Sequence, residues 1–306
     1  MRENSKFYTS FFLLFIIFSS PVSIAEDGAN NWYVEGGNSV LMEQYTATWC
    51  DVCAKIDPWI GNFVEDRGSR LIRVALHDPL NDPLGDSITS ERLSNFPEGQ
   101  ALAPSFWFDS SNEIKGLVTP VDLDRALLNS EGNRETDTLI SILVTEGITN
   151  SLQLSINFHF TGNISNSQAS IFLLADKTID KSLATNGITK HEDVTRGYAN
   201  IEILENHSIN TVVFDSNFNS GFSNISLVRT SDGYIVNLEY SLVDEVIEDI
   251  SIVAVHEYTV DEERSTLGAV SLSLGHTSSV ARISIFIPLL FIIIISSLIL
   301  FKGQSL

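Results

Sequence analysis

Two different periods of hydrophobicity run along this chain. From residue 136 to 260, apolar side chains recur at every second position. In the stretch LQLSINFHFT, Leu152, Leu154, Ile156, Phe158 and Phe160 fall on one face. Alternation of this kind marks a strand with one buried face. Leu139 to Val144, Ile171 to Ala175, Ala199 to Leu204, Thr211 to Phe214, Ile225 to Val228, Tyr234 to Leu242 and Ile250 to Tyr258 repeat the pattern. Ser231-Asp232-Gly233 supplies a turn before Tyr234. A series of short strands separated by turn residues predicts an antiparallel β-sandwich over 136–260.

Residues 30–132 are patterned differently. Val40 to Tyr45 reads as a short buried strand. Cys50 to Asp66 carries Ile56, Trp59, Ile60 and Phe63 at helical spacings of three and four. Leu71 to Leu76, Ser105 to Phe108 and Ile114 to Val118 are further strand candidates. Thr119, Pro120 and Asp122 open a last helix, with Thr119 as N-cap and Pro120 at the first position. This gives the order β-α-β, an insertion, then β-β-α. Residues 261–282, rich in Ser, Thr and Gly, read as a flexible tether.

The two ends are apolar in distinct ways. Arg2 and Lys6 precede the run Phe11 to Phe18, and small residues at Ser23 and Ala25 suit cleavage before Glu26, so 1–25 reads as a secretory signal peptide. Residues 283–301 carry no charge and lie between Arg282 and Lys302. Such a run matches the roughly 30 Å hydrocarbon core of a bilayer. These features predict a single-pass type I membrane protein, with its folded part on the extracytoplasmic side and a cytoplasmic tail at 302–306. The net charge of −21 makes nucleic acid an improbable partner.

Cys50 and Cys53 are the chain's two cysteines, in YTATWCDVCAKIDP. An oxidising compartment favours disulfide formation. A bridge closing so short a loop gains little from loop-closure entropy, so stabilisation is a poor reason for it. A zinc site needs about four ligands, and no second CxxC or HxxxH is present. Two thiolates with a third ligand such as His77 remain a route to copper. Redox exchange fits the pair best, with Cys50 as attacking thiol and Cys53 as the resolving one. The open alternatives are a structural disulfide and a metal clip; no metal or cofactor is assigned.

The WCDVC motif with Pro58 after it, and Leu102-Ala103-Pro104-Ser105 before the strand SFWF, resemble the active site of the thioredoxin family. The resemblance implies a thioredoxin-like α/β domain over 30–132, with a Cys50–Cys53 disulfide and a substrate groove formed by Trp49, Ala103 and the cis-proline Pro104. This chain departs from the pattern in places. Gln44, which cannot titrate, aligns with the family's buried acid, and Glu43 points to the opposite face. Asp51 beside Cys50 should raise its thiol pKa. HDPLNDPLGD, with Asp78, Asp82 and Asp86, has no EF-hand spacing and reads as a surface loop.

EQYTATWCDVC, ALHDPLNDPLGD and the run His191 to Arg196 also resemble a family of bacterial surface proteins, described as outer-membrane proteins, with a thioredoxin-like domain followed by a β-sandwich. In that likeness His191 and Arg196 could face the redox site across the domain interface; by themselves they read as a loop histidine and a surface arginine. N-x-S sequons at Asn163, Asn206 and Asn224 are candidate glycosylation sites. The expected architecture is thus an α/β thioredoxin-like domain, an all-β sandwich domain and one C-terminal transmembrane helix. The expected activity is thiol–disulfide exchange with protein thiols and disulfides, assisted by a membrane redox partner. A surface binding or adhesion protein with an inert disulfide is the alternative.

Overall fold

The computed structural model describes residues 30–94, 102–134, 138–147, 150–160, 167–203, 209–215, 221–243, 245–260 and 263–275. Fourteen strands and three α-helices are present among them. A five-stranded antiparallel sheet runs β1 (Asn31–Gly36), β6 (Thr138–Glu146), β7 (Ser151–Phe160), β12 (Gly233–Ser241) and β11 (Gly221–Arg229). A nine-stranded sheet runs β14 (Glu263–Ser273), β13 (Ile250–Val260), β8 (Ser167–Thr178), β9 (Lys190–Ile203), β3 (Leu71–His77), β2 (Val40–Thr46), β4 (Ser105–Phe108) and β5 (Ser111–Lys115), with β10 (Ile209–Asp215) also on β9.

The alternation in β7 does what its pattern demands. Leu152, Leu154, Ile156, Phe158 and Phe160 point into one apolar core with Ile140 and Ile142 of β6, Tyr234 and Val236 of β12, and Ile171 and Ile201 of β8 and β9. The two sheets pack face to face around it. Strands β2 and β3 are buried on both faces, so their hydrophobic runs are continuous rather than alternating. One face, with Val40 and Met42, packs on α1 (Asp57–Glu65) and α3 (Pro120–Asn133). The other, with Leu41, Ile72, Val74 and Leu76, meets Ile88 of α2 (Ser87–Ser94) and the backs of β8 and β13 at Phe172 and Val253.

The α/β thioredoxin-like domain followed by a separate all-β sandwich is not what this chain forms. Strands dominate, and residues expected in two domains share one sheet. Parallel β3 and β9 join at Ala75 and Val194, and the Thr195 hydroxyl donates to the Ala75 carbonyl at 3.2 Å. Strand β1 leaves its own segment and pairs with β6. The supposed tether is in part β14, antiparallel to β13 from Val260 and Glu263 to Ser251 and Ser273. No helix among the described residues is long and apolar enough to cross a membrane. The expected transmembrane helix at 283–301, the signal peptide 1–25 and the tail 302–306 lie outside the described residues.

The helix after the cysteines is also shorter than its apolar spacing suggests. Cys53–Lys55 forms a 3-10 turn, and α1 begins only at Asp57 with Pro58 in its first turn. Proline has no N–H to continue the ladder backwards, so it starts α1 rather than kinking it. Helix α3 begins as expected: the Thr119 N–H and hydroxyl donate to Asp122 Oδ2 at 2.9 and 2.7 Å.

Buried charge ties the layers together. Arg92 of α2 is fully buried and donates to both carboxylate oxygens of Glu43 on β2, at 2.7 and 2.9 Å. It also donates to both oxygens of Glu257 on β13, at 3.0 and 3.2 Å, and to Ser170 and Tyr198. Burial alone would push the guanidinium pKa down, but the charges of Glu257 and Glu43 hold it well above its usual value. His256 of β13 is buried and neutral, bonded to Ser167 Oγ at 2.7 Å and Thr138 Oγ1 at 3.0 Å.

Arg92→Leu leaves two buried carboxylates without a countercharge and is expected to cost about 3–5 kcal/mol, read as a lower urea midpoint. Adding Glu43→Leu and Glu257→Met should recover most of it. The His256 pKa is pushed down to about 4 by burial, so between that value and the ordinary 6.5 the unfolded chain binds more protons than the folded one. Its contribution to stability is therefore complete above about pH 6.5 and is lost as pH falls through about 4, on the order of 3 kcal/mol by then. Unfolding curves of His256→Gln should show a shallower loss over that window than the parent; an equal slope would exclude this histidine as a source.

Candidate functional site

Strand β2 ends at Thr46 and delivers the chain into the turn Ala47 to Cys53. The turn closes on its own backbone: Cys50 N–H donates to Ala47 O and Ala54 N–H to Cys50 O, each at 3.1 Å. Cys50 and Cys53 form a disulfide. The Cys53 N–H points at Cys50 Sγ, 3.0 Å away. Facing this sulfur at 3.5 Å is the carbonyl oxygen of Ala103, whose peptide bond to Pro104 is cis. Cys50, Cys53, Ala103 and Pro104, singled out in sequence, are thus brought together. Trp49 stands beside them, about half exposed, its indole N–H donating to Asp78 Oδ2 at 3.0 Å.

Three sets of contacts brace this turn. The 78–86 segment, expected as a plain surface loop, buries Asp78 and Asp82. Asp82 Oδ2 accepts from Thr48 N–H at 2.6 Å and lies 3.1 Å from His77 Nδ1. Burial pushes the Asp82 carboxyl up, but the hydrogen bond and charge of His77, with the N–H groups of Leu84 and Thr48, outweigh it and hold it below the usual range. The connection between β8 and β9 is the second brace. Asn186 donates its backbone N–H to Thr48 O at 2.9 Å and its amide N–H groups to Ala47 O and Cys50 O at 3.2 and 3.3 Å. The Thr185 hydroxyl donates to Thr48 O at 3.3 Å.

The third brace is under the turn. Gln44, on the α1 side of β2, donates to Asp57 Oδ1 at 3.1 Å, while Asp57 Oδ2 and Thr46 Oγ1 are buried without a partner. Burial raises the Asp57 pKa against the lowering influence of Arg73 and Gln44. These groups line a cavity of about 380 Å³ with Arg73, His77 and His191. His191 Nε2 lies 3.0 Å from Ile188 O, and since a carbonyl only accepts, Nε2 carries the proton and donates it. Its ring meets His77 edge-on at 5.1 Å, and its pKa is pushed down to about 4 by burial and by His77. Arg196 is not part of this cluster; its Nε lies 3.6 Å from Glu245 Oε1.

The chemistry of the pair is that of a polarised disulfide. An N–H aimed at Cys50 Sγ favours negative charge on that sulfur once the bond opens. Asp51 is exposed, so its charge is screened. Access is restricted: Cys50 is 5% exposed and Cys53 is fully buried. Trp49 within the turn is exposed, as are Leu80, Leu102 and Leu183 on the three segments whose Asp78, Ala103 and Asn186 contact it. His77 is engaged with Asp82, and among the described residues no three His, Cys, Asp or Glu side chains are grouped to hold a metal. Asn224, the sequon within the described residues, is exposed in β11 and donates to Glu239 at 2.9 Å; Asn163 and Asn206 lie outside those residues.

Asp57 and Asn186 are not singled out in the sequence, and Asp82 reads there only as part of a surface loop. Asp57 carried a signal, four residues after Cys53 and so on the same helical side. Asn186 carried none.

No family model matches the chain, and no curated protein matches it significantly. Among solved structures it is similar to the crystal structure of a protein from Agrobacterium tumefaciens, at 11% identity over 78% of this chain and 95% of that one, with a TM-score of 0.47. It is also similar to a family 9 carbohydrate-binding module from Caldicellulosiruptor kristjanssonii in complex with cellotriose, at 11% identity over 48% of this chain and 71% of that one, with a TM-score of 0.26. The same module in complex with glucose gives 12% identity, 47% and 71% coverage and a TM-score of 0.24. Likenesses this distant carry no argument about function, and the reading below rests on the site alone.

Proposed function

We propose that the chain is a thiol–disulfide oxidoreductase acting on protein thiols in an extracytoplasmic, oxidising compartment. The observation that carries this reading is the Cys53 N–H directed at Cys50 Sγ, a donor placed to hold a thiolate at the more accessible sulfur. In the oxidising direction a partner thiolate attacks Cys50 Sγ, the Cys50–Cys53 bond breaks and Cys53 leaves as a thiolate. A second partner thiolate then attacks the partner sulfur of the mixed disulfide and releases the Cys50 thiolate. Two electrons pass from the partner dithiol to the cysteine pair. The reverse sequence reduces a partner disulfide. The exposed apolar side chains of Trp49, Leu80, Leu102 and Leu183 favour a polypeptide over a small thiol as the group that approaches.

A second reading, a binding protein with an inert disulfide, is favoured by one fact: 5% exposure at Cys50 and none at Cys53. Equilibration of the folded protein against glutathione separates the two. Exchange chemistry requires a reduction potential within about −120 to −270 mV, whereas a bond that stays closed below about −300 mV is structural. Cys53→Ser should accumulate mixed disulfides through Cys50 that are visible on non-reducing gels. Cys50→Ser should form none. Absence of trapped species from Cys53→Ser would sink the exchange mechanism.

A further inference from the structure

Asn186 lies 136 residues beyond Cys50 in sequence, yet its carboxamide is built into the cysteine turn. Its Nδ2 donates to two acceptors, Ala47 O at 3.2 Å and Cys50 O at 3.3 Å. Its Oδ1 accepts from the Ile188 N–H at 3.0 Å. That last bond fixes which way the amide faces. Turned over, it would set an oxygen against two carbonyls and an NH2 against an N–H.

The turn does not need these donors to close. Ala47 O already accepts from Cys50 N–H, and Cys50 O from Ala54 N–H. The Asn186 donors are second bonds on oxygens that are already satisfied once. Their main consequence is therefore electrostatic. The Ala47 and Cys50 carbonyls belong to the turn that carries the Cys50 sulfur, and the carboxamide places fixed partial positive charge against their negative ends. Preoriented donors of this kind stabilise an anion without reorganising when it forms.

We infer that Asn186 is a positioning residue for thiol exchange at Cys50: its carboxamide holds the Ala47 and Cys50 carbonyls and keeps the Cys50 thiolate accessible near neutral pH. This rests on the exchange reading given above. The β8–β9 connection thereby sets the reactivity of a thiol on a remote segment. The step it serves is attack of the Cys50 thiolate on a partner disulfide. A bond forms from Cys50 Sγ to one partner sulfur, the partner S–S bond breaks, and the other partner sulfur leaves as a thiolate.

Asn186→Asp is nearly isosteric and keeps the acceptor for Ile188, but it removes both donors and adds a negative charge. Asn186→Ala removes the donors alone. In the reduced protein, the Cys50 thiol pKa is read from the pH dependence of iodoacetamide alkylation in a Cys53→Ser background, with folding checked by circular dichroism. Asn186→Asp is expected to raise that pKa by about one unit or more. For a thiol titrating above the assay pH, one unit cuts the thiolate fraction about ten-fold, and higher intrinsic nucleophilicity returns about three-fold, so exchange with a peptide disulfide slows about three-fold. Asn186→Ala should shift the pKa in the same direction by less, and it carries the test if the aspartate variant does not fold. A folded Asn186→Ala or Asn186→Asp protein with an unchanged thiol pKa overturns the inference, even if its melting temperature falls, because a purely structural clamp would do that. If the parent protein exchanges with neither glutathione nor a peptide disulfide, the exchange reading fails instead, and the thiol pKa comparison still reports on Asn186.

Discussion

One guanidinium, wholly removed from water, holds two carboxylates that belong to remote parts of the chain. Arg92 bridges Glu43 and Glu257 with every oxygen of both engaged, and Ser170, Tyr198 and Gln168 complete the shell. Desolvating three ionised groups costs several kcal/mol for each, and this arrangement tolerates it only because the partners are mutually saturated. The constraint is geometric as well as energetic. Glu43 can face α2 in only one register of β2, and a slip by one residue would put Gln44 there and drive the charge into the apolar layer beneath α1. The register that satisfies Arg92 is the register that ends β2 at Thr46 and launches the cysteine turn.

The same segment works at both of its ends. Between β3 and α2 the chain passes through Asp78 and Asp82, which hold Trp49 and Thr48, and then reaches Arg92, which holds β2 from behind. A stretch that reads as a polar surface loop is therefore pinned at one end by a buried ion pair and at the other by buried carboxylates accepting backbone and indole N–H groups. Asp82 stays ionised in that setting because His77 and two peptide N–H groups compensate for its burial. Such contacts are directional, unlike apolar packing, and they fix where carbonyls and N–H groups point around the two sulfurs.

Local features were legible in the sequence and long-range pairings were not. The alternation of β7, the turn at Ser231 to Gly233, the cap at Thr119 and the pairing of Cys50 with Cys53 all depend on residues close in sequence. The union of two expected domains into one sheet depends on Ala75 meeting Val194 and on β1 reaching β6, and a pattern of period two does not name a strand's neighbour. Strand β14 was hidden by composition. Gly268 shares the face of Val270 and Leu272, and a register shift next to it puts Thr266 opposite Glu257, so a small residue and a bulge mask the alternation and the run resembles a linker. The α1 start was misplaced because helical spacing continues through Cys53 to Ile56, while Pro58 stops the hydrogen-bond ladder from doing so.

The site divides along the same line. The sulfurs with the Cys53 N–H, the Ala103–Pro104 segment and Trp49 could be picked out by motif, but the Asp82 and Asn186 side chains that brace the turn come from elsewhere in the chain. Closure and polarisation at Cys50 pull in opposite directions for function. Burial raises the cost of a thiolate, whereas the Cys53 N–H lowers it. A thiolate held in a mostly enclosed pocket gains more from each fixed donor than one in water, because the effective dielectric is smaller. The enclosure that keeps solvent from Cys50 thus increases the weight of the Cys53 N–H aimed at its sulfur.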